Sequence, residues 1–397
     1  MATRKHPQHC GKPMKKNGTT SANNTRWRCT NCGYSETICR EDDKQPARFR
    51  LFITWLTTHR SLTDIATDVH RSRRTLERWF RLFWLIAVPC PIDKHTIHDQ
   101  IFIDGTYFKP IGCLLIAADA THVITWHWCK RETTNDYKAL LEKLHAPHIV
   151  TTDGCRGSLE AITALWPDTK IQRCLIHVRR NCINDLTRKP RTTAGRALLK
   201  LAQDLPTITT QEQANTWSAH LTLYGEVFCD FLNERTYKKD VPADQIPKQF
   251  RHNRVYWYTH YRTRRTYRRL TELNKTGQLF AYLTPPEGFP DTIAKASNNS
   301  LEGGINRQLK QLVSDHRGLT GEYLRKAIEW WLYQHTKLPA DPQTIGRQQR
   351  WGKGQLVKAK ALTQAEHTTN DDGRPATYDD GIDQEYTHSL GIRKGHF

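Results

Sequence analysis

The chain has 397 residues, with 60 Lys+Arg against 40 Asp+Glu and a formal net charge of +20 with histidine neutral. At roughly 100–200 residues per domain this length predicts about two to four domains, and the cationic excess argues for a polyanionic partner, because Lys and Arg displace counterions from phosphate. No apolar run approaches the ~20 residues of a membrane span, and Met1-Ala2-Thr3-Arg4-Lys5-His6 leads into polar sequence without the apolar core of an export signal. A cytoplasmic, nucleoid-associated protein with no membrane partner is therefore expected, its 11 cysteines reduced, liganded or buried rather than disulfide-paired.

Four of the cysteines, Cys10, Cys29, Cys32 and Cys39, fall in the first 39 residues. Cys29-Thr30-Asn31-Cys32-Gly33 reads as half of a zinc knuckle: the two-residue gap lets both thiolates reach one tetrahedral ion, and glycine permits the tight turn. Cys10 fits as a third ligand. Pro7 stands where a regular knuckle would place the fourth, so spacing turns to His6, with His9 as the alternative. A structural, non-catalytic Zn²⁺ is expected in a small ribbon over residues 1–39, which are too few to form a core unaided. Whether the ribbon also touches DNA stays open at this level. Residues 40–47 read as a polar linker ending at Pro46.

From Arg48 to Ile86 comes a dense helical pattern that Pro89 and Pro91 stop, within a helix-turn-helix domain expected over residues 44–90. Leu62-Thr63-Asp64-Ile65-Ala66-Thr67-Asp68-Val69 reads as a short amphipathic helix, with Ser61 as N-cap and Asp64 three residues on. After His70-Arg71 a second helix starts near Ser72, with Arg73, Arg74, Thr75, Arg78 and Arg81 on its polar side and Leu76, Trp79, Phe80 and Phe83 inward. Helix, short turn and basic helix make the helix-turn-helix arrangement. Arg73, Arg74 and Arg78 would meet guanine edges or phosphates of double-stranded DNA. An ordinary helical hairpin with a solvated basic face is the competing reading.

From residue 101 to 175 short β-type runs alternate with helical stretches. Strands fit 101–104, 112–119, 122–129, 149–152 and 170–175, and helices fit 135–144 and 158–165. That order suggests an α/β sheet with a leading antiparallel meander. Two strands end alike, in Ile101-Phe102-Ile103-Asp104-Gly105-Thr106 and His148-Ile149-Val150-Thr151-Thr152-Asp153-Gly154. A carboxylate at the end of a buried strand must be paired, hydrogen-bonded or metal-bound. Two on neighbouring strands suit a pair of Mg²⁺ ions, with Mn²⁺ as substitute, which at ~4 Å apart activate an attacking oxygen and stabilise a leaving one. Asp119 also ends a strand-like run but reads as a turn residue. A third carboxylate, Glu302, opens a helix in Asn298-Asn299-Ser300-Leu301-Glu302-Gly303-Gly304-Ile305-Asn306, although spacing alone does not single it out.

From residue 178 to 295 the pattern is polar and mostly helical. Within it Arg262, Arg264, Arg265, Arg268 and Arg269 interleave with Tyr256, Tyr261 and Tyr267. Arginines clamp phosphates and rings stack on unpaired bases; a solvated helix with core-facing rings is the other reading. Trp217 reads as core. Arg317, beyond the Glu302 helix, would hold a phosphate near the metals. Residues 339–397 turn polar and are expected as a loose or draped tail.

These motifs, in this order, make the chain resemble bacterial insertion-sequence DDE transposases of the Mutator-related group. The resemblance rests on Asp104 in Phe-Ile-Asp-Gly-Thr-Tyr, Asp153 in Thr-Asp-Gly, Cys174-Leu175-Ile176-His177, and Glu302 in Asn-Asn-Ser-Leu-Glu-Gly-Gly-Ile-Asn, and it spans about residues 1–338. It implies an RNase H-like α/β catalytic core in two parts, 97–177 and 296–338, separated by a helical insertion domain over 178–295. It implies Asp104, Asp153 and Glu302 as the catalytic metal ligands. By resemblance the protein binds terminal inverted repeats and target DNA, cleaves to expose a 3′-hydroxyl, and transfers that strand without a covalent enzyme–DNA link. Cys174 reads as a small buried residue. His177 supports the site, contacting the scissile phosphate or orienting its neighbours, unless it is a structural histidine. Synapsis of two DNA ends calls for a homodimer. The competing function is a DNA-binding transcription regulator with a catalytically inactive RNase H-like body.

Overall fold

The computed structural model describes residues 8–9, 12–21, 24–37, 40–109, 111–252, 255–284 and 294–355. The chain divides into two compact units, Met1–Ala87 with Ala340–Phe397, and Val88–Pro339.

In the first unit a short pair, β1 (Gln8–His9) and β2 (Lys12–Pro13), precedes an antiparallel sheet of β3 (Lys15–Thr19), β4 (Thr25–Arg28) and β5 (Ser35–Thr37). Met14, Trp27 and Cys29 form its small core. After β4 the chain makes a tight turn at Gly33. Gly33, at φ +72°, donates its N–H to Cys29 O at 3.0 Å, and Cys29 N–H reaches Tyr34 O at 2.7 Å. Cys29 is buried and Cys32 exposed. His6, Cys10 and Cys39 lie outside the described residues.

The helical part begins earlier than the hydropathy implies. Residues 40–47, expected as a linker, are the first turns of α1 (Arg40–Thr57), which carries Pro46 inside it. α2 (Leu62–Asp68) and α3 (Arg73–Phe80) fall where the sequence puts them. Ser61 and Asp64 exchange a reciprocal capping box, and Ser72 caps α3 by accepting the Thr75 N–H. These caps satisfy backbone donors that helix starts leave open. Phe49, Phe52 and Leu56 of α1 are buried, as are Ile65 of α2, Leu76 and Phe80 of α3, and Phe83. The Phe52 and Phe80 rings meet edge-on at 5.3 Å. Arg73, Arg74 and Arg78 are exposed, with Arg73 paired to Glu77.

The second unit is built on one mixed sheet. β6 (Gln100–Phe108), β7 (Gly112–Ala118) and β8 (Val123–Cys129) form the expected meander. β9 (Ile149–Thr152) and β10 (Lys170–Arg173) add in parallel on the other side of β6, giving the order β10-β9-β6-β7-β8. α4 (Thr134–Leu141) and α5 (Arg156–Leu165) provide the crossover helices. Ile101, Ile103 and Leu115 pack with Tyr137, Leu140, Ala161 and Ile162 on that face. Strand side chains alternate, so Asp104 projects from the opposite face.

Beyond β10 come α6 (Leu175–Leu186), α7 (Thr193–Asp204), α8 (Gln211–Val227), α9 (Cys229–Asn233) and α10 (Tyr261–Lys275). Between α9 and α10 the strands β11 (Arg235–Tyr237) and β12 (Tyr256–Tyr258) pair antiparallel. Leu198, Trp217, Leu221 and Leu270 lie in this helical layer's core. Trp217 is buried as expected, its Nε1 donating to Leu201 O at 2.9 Å. The chain then comes back to β6. The Gln100 side chain bonds both backbone groups of Lys295, at 2.7 and 2.8 Å, and Leu175 N–H donates to Ala296 O at 3.0 Å. A π-helix (Ser300–Asn306), α11 (Arg307–Asp315) and α12 (Gly321–Gln334) complete the unit.

α13 (Pro342–Gln348) belongs to the first unit. Trp351 follows it with φ +56°, its ring 5.7 Å from Phe49 and 6.4 Å from Phe83. The Gln349 side chain accepts the Ala87 N–H at 2.8 Å and donates to Ala87 O at 2.7 Å. Residues 340–355, expected as the start of a loose tail, are instead packed into the helical core of α1. Their apolar signal is little more than Ile345 and Trp351, too sparse for hydropathy to mark. Residues 356–397 lie outside the described residues.

Candidate active site

Asp104 and Asp153 are set side by side by strand register. In the parallel pair of β6 and β9, Ile103 sits opposite Thr152, and each aspartate is the next residue on its chain. Asp153 is held from several sides. Its Oδ1 accepts the Cys155 N–H at 2.9 Å and the Thr152 hydroxyl at 3.3 Å. Its carbonyl accepts from Arg173 Nη2 at 2.7 Å. Gly154, at φ +79°, leaves the space this guanidinium fills; a Cβ there would overlap it. Burial pulls the Arg173 pKa down while Asp153 pushes it up.

Glu302 arrives on the π-helix, and its Oε1 lies 3.1 Å from His177 Nδ1 on the first turn of α6. That nitrogen makes no well-aligned hydrogen bond, so the contact is a close electrostatic approach. Cys174, His177 and Glu302 each present a ligand-type atom within 4.8 Å of the other two. Burial pushes the Cys174 thiol up, which disfavours the thiolate a metal would need. Its Sγ instead accepts the Asn298 backbone N–H at 3.2 Å.

Asp104 feels the carboxylates gathered here. Burial first, then Glu302, Asp153 and Glu132, pushes its carboxyl up to about 8. Asn306 Nδ2 donates to its Oδ2 at 2.6 Å. Glu132 reaches beneath Gly105, where a Cβ would come 2.6 Å from its carboxylate, and accepts the Tyr137 hydroxyl at 3.0 Å. Four carboxylates thus load one region with negative charge, and the oxygen donors fit a hard divalent cation. The side-chain oxygens of Asn298 and Asn306 are buried there without a hydrogen-bond partner.

The sequence-predicted Asp104, Asp153, Glu302 and His177 are therefore brought together. Glu132, Arg173, Asn298 and Asn306 join them without having been singled out by sequence. Asn298 and Asn306 stand in the Glu302 motif but carry no charge to mark them, and Glu132 sits in an ordinary-looking turn after β8. Asp119 is the expected turn residue, its Oδ1 accepting the Thr121 and His122 N–H groups at 2.7 Å each. Arg317 is exposed, with its Nε on Ser314 O at 3.0 Å.

The five insertion arginines divide. Arg262 and Arg268 are exposed. Arg264 donates to Leu232 O at 3.1 Å and Asn233 Oδ1 at 2.7 Å, and stacks 3.8 Å over Tyr258. Arg265 and Arg269 both pair with the buried Asp185 of α6, Arg269 at 3.1 Å. These three also make contacts within the fold.

The fold and site define a mixed α/β protein with an acidic centre suited to divalent cations. Residues 115–272, from β7 into α10, match the family described as Transposase, Mutator family. The chain is also 28% identical over 180 residues to the transposase for insertion sequence element IS905 of Lactococcus lactis subsp. lactis (strain IL1403), a match covering 38% of this chain and 44% of that relative. Over part of its length the chain is thus similar to insertion-sequence transposases of the Mutator type. The chain spans less than half the length of that relative, and the family match takes in Asp153 and His177 but stops short of Asp104 and Glu302. Among the described residues no helix is long and apolar enough to cross a membrane.

Proposed function

We propose that the protein is a metal-dependent DNA transposase that binds the terminal inverted repeats of an insertion sequence, cleaves at the element's ends and transfers the 3′-hydroxyl strand to target DNA. The convergence of Asp104, Asp153 and Glu302, with mutual repulsion strong enough to help push Asp104 up to about 8, carries this reading. The sheet order and the glutamate helix on the Asp104 face are what an RNase H-like core would have. Asp104, Asp153 and Glu302 would hold two Mg²⁺ ions, or Mn²⁺, which supply Lewis-acid stabilisation to the attacking and leaving oxygens when bound.

The chain's own residues do the positioning. Cys155 N–H, Thr152 and Arg173 fix the Asp153 loop. His177 stands against Glu302, and Asn306 orients Asp104. For DNA, α2 and α3 would act as a helix-turn-helix with Arg73, Arg74 and Arg78 toward the groove. Arg262 and Arg268 offer exposed cations for backbone phosphates. A structural Zn²⁺ would be held by Cys29 and Cys32 with Cys10 and His6, and two protomers would synapse the two ends.

The test is a supercoiled plasmid carrying the element's ends, incubated with purified protein and Mg²⁺. Nicks at the ends that leave 3′-hydroxyls are expected. Asp104→Asn should abolish nicking and leave terminal-repeat binding intact. Repeat binding by the wild type with no nicking under any divalent metal would replace this reading with a DNA-binding regulator.

A further inference from the structure

Glu302 lies in a π-helix, Ser300–Asn306, that passes directly into the α-helical α11. Such i→i+5 turns are rare and concentrate at functional sites, because they hold an extra residue that ordinary helix geometry would drop. Two asparagines flank the glutamate at four-residue intervals. Asn298 is fully buried, with its Nδ2 3.4 Å from Ile103 O. Asn306 is 3% exposed, with its Nδ2 2.6 Å from Asp104 Oδ2. The two amides thus dock the ends of the glutamate segment on consecutive residues of one strand. Both Oδ1 atoms are buried without a hydrogen-bond partner. An orphaned buried carbonyl oxygen is costly, so neither asparagine is explained by local stability alone.

We infer that the π-turn and its two asparagines form an amide clamp that sets Glu302 against Asp104, and that Asn306 is a positioning residue for the metal-binding carboxylate. This rests on the metal reading proposed above. By holding one Asp104 oxygen, Asn306 fixes the direction of the other, the role that hydrogen-bonded outer residues play around metal ligands. Gly304 has open space around it and Gly303 meets only the tip of Asn299, so packing does not dictate glycine at 304. The extra residue itself is what counts. Deleting Gly304 would let the segment close as an α-helix and remove the extra residue between Glu302 and Asn306, so the two side chains would no longer keep their four-residue spacing.

The experiment is a titration of the full chain with Mn²⁺ alone, followed by paramagnetic resonance and calorimetry, with thermal melting of each variant alongside. Asn306→Ala should bind Mn²⁺ about 10–100-fold more weakly than wild type while melting close to it. The Gly304 deletion should show the same loss. Wild-type affinity in Asn306→Ala overturns the inference. If that variant melts below the assay temperature, Asn306→Ser is read by the same criteria. Asp104→Asn separates the two layers: unchanged Mn²⁺ binding there removes the metal reading and the clamp together, whereas loss in Asp104→Asn with full binding in Asn306→Ala removes the clamp alone.

Discussion

His177 Nδ1 lies 3.1 Å from Glu302 Oε1, joining the helix that follows β10 to the π-helix that carries the third carboxylate. The imidazole fixes where that carboxylate can point, so its loss should act through Glu302. His177→Ala is expected to slow end cleavage about 10–100-fold, the usual cost of removing a residue that orients a metal ligand. Glu302→Gln should abolish cleavage. On the Glu302→Gln background, His177→Ala should cost no further Mn²⁺ affinity, because two residues acting through one contact are not additive. Independent, additive losses in a double-mutant cycle would contradict the coupling.

Asp104 predicts how the metal-free protein responds to pH. Burial and the neighbouring carboxylates push its carboxyl up to about 8 in the fold, against 3.8 for the free side chain. Between those values the folded state holds a proton that the unfolded state has released, so this group's favourable contribution is full below about pH 4, falls as pH rises, and is gone above about pH 8. The swing is on the order of a few kcal/mol. In chelator, wild type should therefore melt progressively lower from pH 5 to 8.5, and Asp104→Asn should melt higher than wild type by a margin that grows over that range. Mn²⁺ should restore the wild type at high pH, since ligand binding to the folded state alone stabilises it. A pH-independent difference between the two proteins would sink the prediction.

The parts of this site that are legible in sequence are those with a repeating local signature. Asp104 and Asp153 each close an apolar run and precede glycine, and the pleat and register do the rest. The five strands lie within a few residues of their expected bounds for the same reason. Asn306 has no such signature, since an uncharged amide becomes informative only when Asp104 is seen 2.6 Å away. The start of α6 also departs from expectation. Residues 174 and 175, expected at the end of a strand, are the cap and first turn of a helix, because the β10 ladder ends at Arg173 and Leu175 N–H turns to Ala296 O, far away in sequence. Likewise, no local pattern on α10 tells Arg265 from Arg268; the difference is Asp185 on another helix.

That difference gives a testable division of labour on α10. Asp185 is 8% exposed at its side chain and carries Arg265 and Arg269. Asp185→Ala leaves both guanidiniums without their acid and should destabilise the protein by about 1–3 kcal/mol, the cost of unpairing a buried polar group whose partners are partly solvated. Arg262→Ala with Arg268→Ala should leave melting unchanged and weaken DNA binding instead. The slope of log affinity against log salt should shallow by about 0.9 for each phosphate that these arginines no longer neutralise. Anisotropy titrations at several KCl concentrations measure it, and an unchanged slope would take these two arginines off the DNA.

Trp351 makes the last described residues part of the first unit's core. Two glycines shape the ring's place. At Gly346 a Cβ would come 2.6 Å from the indole, and at Gly352, where φ is +87°, a Cβ would overlap Leu82 O. The indole lies against Phe49 and Phe83, and Phe83 in turn lies 6.3 Å from the Phe80 ring of α3. Trp351→Ala should therefore destabilise this unit by about 3 kcal/mol, the low end for emptying a buried aromatic site. Gly352→Ala should be as damaging, through backbone strain and overlap together. Because α3 carries Arg73, Arg74 and Arg78, either change should weaken terminal-repeat binding as the temperature approaches the unit's lowered melting point, with Mn²⁺ affinity at Asp104 held at the wild-type value. Parallel melting, repeat-binding and Mn²⁺ titrations of Trp351→Ala decide the matter. Full repeat binding and an unshifted melt would show that this ring is dispensable to the helices it touches.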